Sequence, residues 1–224
     1  MEKEGVVEVG RKKLLVSFFV LFWSSSSFAA HPLTTDDIYP VDAGTFELEL
    51  SYDTWNKKAE PRNHSLGVSL KGGITERMDI GISFPFQIQP YQEEPFGNIT
   101  LGIKFLLLKD IFALTVSNEF GLSDYFINGI FTHEFGSITG HANIGYTVSG
   151  DKEDEGEIRY SAAIEYSLWK IDLVGEVLGD SIGFQNYLFG VRYKISEMVF
   201  IDCAYGNGFR ETGDRVSIGF HAEF

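Results

Sequence analysis

The chain lacks most of what would hold a helical protein or a small cross-linked domain together. It has one cysteine, Cys203, in 224 residues, so no internal disulfide can form and cysteine usage does not reveal the redox compartment. Positive charge is scarce: 18 Lys and Arg stand against 32 Asp and Glu, a formal balance of -14. That balance excludes a nucleic-acid partner, because phosphate recognition needs a basic surface that releases counterions. Long apolar runs are missing too. The longest, Leu14 to Trp23, is about half of the ~20 residues that a membrane-spanning helix requires. What the chain does have is 15% aromatic residues, with 20 Phe and 10 Tyr, beside 24 Gly and 6 Pro. This composition fits many short extended segments better than packed helices, and the length suits one domain or one mid-sized barrel.

The N-terminus has the layout of an export signal. Arg11, Lys12 and Lys13 precede the apolar run, and Ser24 to Ser27 lead into Phe28-Ala29-Ala30, a small-residue cleavage site. Residues 1–30 are therefore expected to be a secretory signal removed after Ala29 or Ala30. The acidic stretch from Met1 to Gly10 is atypical of such a signal and stays outside the fold argument. No cysteine stands at the start of the expected mature chain to accept a lipid, so a lipid anchor is not expected there.

From Phe46 onward apolar and polar residues alternate with period two, interrupted by turn chemistry, which is the pattern of antiparallel strands. Phe46, Leu48, Leu50 and Tyr52 share one face of the first segment, and Glu47, Glu49, Ser51 and Asp53 share the other. The pattern recurs to the last residue and predicts an all-β, antiparallel up-and-down barrel of about twelve strands. Short connections such as Gly136-Ser137 and Trp169-Lys170 alternate with longer ones, including Gln89 to Gly97, Ser149 to Glu157 and Gly179 to Asn186. Short periplasmic turns and longer external loops would produce that alternation. The predicted division is a signal at 1–30, a periplasmic leader or plug at 31–44 and an outer-membrane barrel at 45–224.

Alternation alone also fits a soluble barrel with its apolar face turned inward. Three features favour the membrane form. The polar face is small, with Gly67, Ser69, Gly73, Gly81, Gly102, Ser117, Gly145, Gly190 and Gly219 where a solvent face would carry lysine and glutamate. Aromatics gather at strand ends as in interfacial girdles, for example Tyr146 and Tyr205 at one end and Phe135 and Tyr193 at the other. Charges avoid the apolar face, with His133 the main polar exception. The chain also ends on an alternating strand closed by Phe224, which resembles the insertion signal read by barrel-insertion machinery.

Ala30-His31-Pro32-Leu33-Thr34-Thr35-Asp36-Asp37 followed by Gly44-Thr45-Phe46-Glu47-Leu48-Glu49, and then Thr75-Glu76-Arg77-Met78-Asp79-Ile80-Gly81-Ile82-Ser83-Phe84-Pro85-Phe86, resemble the MetA-pathway of phenol degradation family. The resemblance implies an outer-membrane transporter for small, aromatic or apolar molecules, and it carries no phenol chemistry with it.

In this register the lumen is lined by Glu47, Glu49, Asp79, Glu119, Glu134, Glu165, Asp172, Glu176, Asp202 and Glu223 together with Lys71, Lys104, Arg159, Arg192, Lys194 and Arg215; His141 and His221 also face it. Acids outnumber bases. Such a lining either forms a constriction that favours cations and polar neutral solutes or cross-braces the barrel with salt bridges. A barrel of this size leaves only a narrow passage. Asp36 and Asp37 precede the first strand, and their segment is expected to fold back into the periplasmic mouth and meet Lys71, Lys104 or Arg192. The run Asp151-Lys152-Glu153-Asp154-Glu155-Gly156 opens like a calcium loop, but Ala162 stands where the bidentate glutamate is needed, so it reads as a solvated external loop at the lipopolysaccharide surface. No cofactor or catalytic motif is expected. The rival classes are an outer-membrane lipid hydrolase, for which no histidine lies in a hydrolase motif, and a structural or adhesive barrel working through its loops.

Overall fold

β-branched and aromatic residues at every second position cannot form one face of a helix, and they find partners only by pairing edge to edge. A computed structural model describes residues 31–56, 61–90, 95–150, 156–209 and 213–224. Residues 1–30, expected to be an export signal, and Asp151 to Glu155, expected to be part of an external loop, lie outside the described residues. Twelve strands follow in order: β1 Phe46–Trp55, β2 Asn63–Thr75, β3 Met78–Gln89, β4 Thr100–Leu108, β5 Phe112–Glu119, β6 Tyr125–Phe135, β7 Ile138–Val148, β8 Glu157–Leu168, β9 Ile171–Asp180, β10 Gly183–Lys194, β11 Val199–Gly208 and β12 Arg215–Glu223. Each pairs antiparallel with its sequence neighbours, and β1 pairs with β12 to close the barrel. Among the described residues no helix is long and apolar enough to cross a membrane, which says nothing about crossing by strands.

Closure fixes the two faces. Along the β1–β12 seam Leu48 opposes Ala222, Leu50 opposes Phe220 and Tyr52 opposes Ile218, while Glu49 opposes His221 and Asp53 opposes Ser217. Phe46 and Phe224 exchange backbone hydrogen bonds of 2.8 and 2.9 Å, and their rings stack at 6.1 Å, so the last residue completes the seam. The outer face exposes Leu50, Leu66, Val68, Leu70, Ile80, Leu101, Ile127, Phe131, Ile144, Phe189 and Ile218 among many others, while Lys71, Asp79, Lys104, Asp172, Glu176 and Asp202 are buried. This is a globular fold turned inside out.

The end of the barrel that holds residues 46 and 224, called the near end here, carries the tight turns. Gly136 and Trp169 open two of them with φ of 68° and 54°, the left-handed conformation that two-residue hairpins use. One expected long loop at the opposite, far end is absent. Residues 179–186 form a tight hairpin in which Asp180 pairs with Gly183, and an irregularity between Phe184 and Asn186 absorbs the extra residue. The cause is local: Asp180 accepts hydrogen bonds from Ile182 N at 2.8 Å and Gln185 Nε2 at 3.0 Å, and Gly183 adopts φ of 129°. Two of the polar residues that looked like loop in the sequence therefore serve the turn.

Candidate functional site: the lumen and its leader

The leader enters the lumen at the near end. Gly44 N donates to Gly73 O at 2.9 Å and Gly73 N to Thr45 O at 3.1 Å. A Cβ on Gly73 would lie 2.0 Å from the backbone oxygen of Asp42, so only glycine lets the chain pass there. Inward from that point the leader has no regular structure, and the strands' inner side chains supply partners for its backbone, as any buried irregular segment requires. Val41 N donates to Asp79 Oδ2 at 3.0 Å, and Ile38 N donates to Thr132 Oγ1 at 3.3 Å. Asn143 accepts from Asp36 N at 2.6 Å and donates to Asp36 O at 3.0 Å. Glu176 Oε1 accepts from Thr34 N at 2.7 Å, from Thr35 N and from Thr35 Oγ1 at 2.6 Å. Residues of all twelve strands belong to the hydrogen bonds, ion pairs and apolar clusters that surround residues 31–44.

Two charged centres hold the leader. Asp36 and Lys104 are each 2% exposed and meet at 2.8 Å, and the same ammonium donates to Asp37 O at 2.9 Å with the Asp37 carboxylate at 3.7 Å. Lys104, one of the three cations expected to meet Asp36 and Asp37, does so. Lys71 pairs with Glu47 at 2.5 Å, and Arg192 with Glu165 at 3.2 Å while donating to His31 O at 3.3 Å. The second centre is His31. Its Nδ1 lies 2.5 Å from Asp202 Oδ1 and its Nε2 2.7 Å from Ser217 Oγ, and Ser217 donates to Asp53 at 2.5 Å. Burial works against the imidazolium, but the Asp202 hydrogen bond and charge, with Asp53 and Glu49 behind them, hold the His31 pKa above its ordinary value. Gly219 makes the room: a Cβ there would lie 2.1 Å from His31 Nδ1.

Two apolar nests interrupt the polar lining. Ile38, fully buried, packs with Leu106, Ala113 and Ile130, and Leu33 belongs to a cluster with Ala163, Val174, Leu188 and Ala204. Sequence reading missed these inner apolar residues and also His31, Asp53, Thr132, Asn143 and Ser217. The available signal was two apolar residues in succession inside a period-two run, as at Ile130-Phe131, Ala162-Ala163 and Leu173-Val174. Such a doublet puts one apolar side chain inside.

The other lining residues form cross-strand pairs or sit at the rims. Lys194 meets Asp172 at 3.3 Å, and His221 lies 3.8 Å from Glu47 and 3.4 Å from Glu223. His141 lies 2.9 Å from Thr132 and 3.9 Å from Glu165. Arg215 pairs with Asp53 at 2.7 Å and Arg159 with Glu157 at 2.7 Å. Glu134 receives the Tyr39 hydroxyl at 2.6 Å at the near rim, and Glu119 receives Asn98 Nδ2 at 3.3 Å at the far end. Glu47, Glu49 and His221 present ligand atoms within 4.8 Å of one another, but the Lys71 ammonium on Glu47 already supplies the positive charge that a metal would bring.

No protein-family model and no curated protein match the chain. Solved structures do. An outer-membrane channel from Pseudomonas putida F1 superposes with a TM-score of 0.62 at 11% identity, over 84% of this chain and 98% of that one. The KdgM porin, solved in complex with disordered oligogalacturonate, gives 0.61 at 8% identity, over 80% and 99%. This is an outer-membrane barrel fold. Outer membrane phospholipase A from Escherichia coli shares it with a TM-score of 0.51 at 16% identity, over 86% and 93%. At these identities the likeness covers architecture alone.

Because a phospholipase shares this barrel fold, the Ser217–His31–Asp202 arrangement needs a physical test. Its order resembles a hydrolytic triad, yet Ser217 is fully buried and its one hydroxyl proton points to Asp53. With that proton given to Asp53, the hydroxyl has none to pass to the His31 ring. The arrangement works as a clamp on the leader.

Proposed function

We propose that the protein spans the outer membrane of a Gram-negative cell, near end in the periplasm, as a narrow channel for small molecules whose periplasmic half is closed by residues 31–44. The observation that carries this reading is the distribution of side chains: leucine, isoleucine, valine and phenylalanine cover the exposed outer wall, and paired ions fill the interior. Hydrocarbon tolerates the first surface and water the second. Residues 1–30 act as the export signal, Phe224 closes the strand presented to the insertion machinery, and the far-end loops meet lipopolysaccharide. The acidic excess of the lining favours cationic and neutral solutes, as charged rings do in other channels. The small aromatic or apolar compounds that the family resemblance implies fall among the neutral ones.

Two measurements test the reading. Liposomes containing the protein are expected to swell in small neutral and cationic solutes and to respond poorly to anionic ones of equal size; lipid release without swelling would turn the assignment toward a hydrolase. Deleting residues 31–43 is expected to raise single-channel conductance in planar bilayers several-fold. Unchanged conductance would mean that the leader does not close the passage.

A further inference from the structure

The inner end of the leader lies against more negative charge than its own side chains neutralise. Lys71 pairs with Glu47 at 2.5 Å and Arg215 with Asp53 at 2.7 Å. Four carboxylates, those of Glu47, Glu49, Asp53 and Asp202, thus share Lys71, Arg215 and the His31 ring, and Asp202 Oδ2 is buried without a hydrogen-bond partner. Unbalanced charge at this depth is costly, and the usual remedy is a cation within hydrogen-bonding reach. The group already placed there is the backbone nitrogen of His31, which donates to Glu49 Oε2 at 3.2 Å. As an amide that nitrogen has one proton and no charge. As a chain terminus it has three protons and a full positive charge, and it would complete the balance.

We propose that the cradle formed by Glu49, Asp53 and Asp202 is a receptor for the α-ammonium of a chain cut between Ala30 and His31, so that removal of the export signal is what allows the leader to seat. The cut is an ordinary hydrolysis by a signal peptidase: water adds across the Ala30–His31 peptide bond, Ala30 leaves with a carboxylate, and His31 keeps the amine, which takes up a proton at neutral pH. Uncut or miscut chains would bring extra backbone and no charge to the cradle. The inference rests on the reading of residues 31–44 as a plug and adds what locks it.

The test uses protein recovered from outer membranes and three variants in planar bilayers. Intact mass and N-terminal sequencing are expected to find His31 first with a free amine; a mature chain starting elsewhere overturns the proposal. A mature chain carrying Gly-Ser ahead of His31, and separately Glu49→Gln, are each expected to shift occupancy of the closed state roughly tenfold, the loss of one charge-assisted contact. Heat-modifiable migration on gels verifies that both barrels are closed. If the extended chain conducts like the native one while deletion of residues 31–43 opens the channel, the plug stands and the receptor is wrong. If the deletion is silent as well, both fall.

Discussion

Lys104 has exchanged water for one carboxylate and two carbonyls, those of Asp37 and Tyr39. A buried ion pair contributes little net stability because desolvation offsets attraction, but removing one partner strands the other. Lys104→Met should therefore leave Asp36 buried without compensation and weaken leader docking by about 3 to 5 kcal/mol. Asp36→Asn alone should cost a comparable amount, and the double variant Lys104→Met with Asp36→Asn should cost less than the two together. Protection of the leader from protease in the refolded protein measures all three, and strict additivity would show that the pair is not coupled. Glycines act at this scale as well. Gly73, Gly190 and Gly219 belong to the small inner face legible in the sequence, but the reason for each is specific: Asp42 and His31 of the leader occupy the space a side chain would take at Gly73 and Gly219, and at Gly190 Ala204 and Cys203 of the neighbouring strand fill it together with Pro32.

At the scale of elements, the strands were legible because each carries its own period-two record, and parity then decides which residues face inward. The leader has no such record. Its partners are set by closure of the barrel, which brings Glu176, Asp202 and Ser217 within reach of Thr35 and His31, residues separated by 141 to 186 positions. Asp36 and Asp37 drew notice because two acids ahead of a strand need cations, whereas His31 and Ile38 gave no comparable signal. Asp53 stood in the inner parity of β1 and could have been assigned to the lining from sequence alone. The nests make the element's contribution measurable. Ile38→Ala leaves a cavity against Ala113 and Ile130, and a large-to-small change of this kind costs roughly 2 to 5 kcal/mol. Because the cavity lies between leader and wall, the expected outcome is faster hydrogen exchange along residues 31–44 with the strand amides unchanged. Exchange rising in β5 and β6 as well would place the loss in the wall.

For the whole molecule, the proposed function makes the bilayer that meets the apolar exterior part of the fold. Leu70 lies on the outer face near the middle of β2, and Leu70→Arg should cost about 2 to 4 kcal/mol if that position is at the bilayer midplane. Urea unfolding from lipid vesicles would measure it. The neighbouring inner position, Ser69→Arg, should escape that penalty, and an equal cost at both would argue against lipid on the outside.

Residues of every strand, from β1 at the seam to β12 that closes it, surround the leader. A segment synthesised before any strand can therefore complete its bonds only after the last strand has been sewn in. Its seating is a final inspection of the finished cylinder: a wall with one staves's register slipped would offer it no complete set of partners and would remain open.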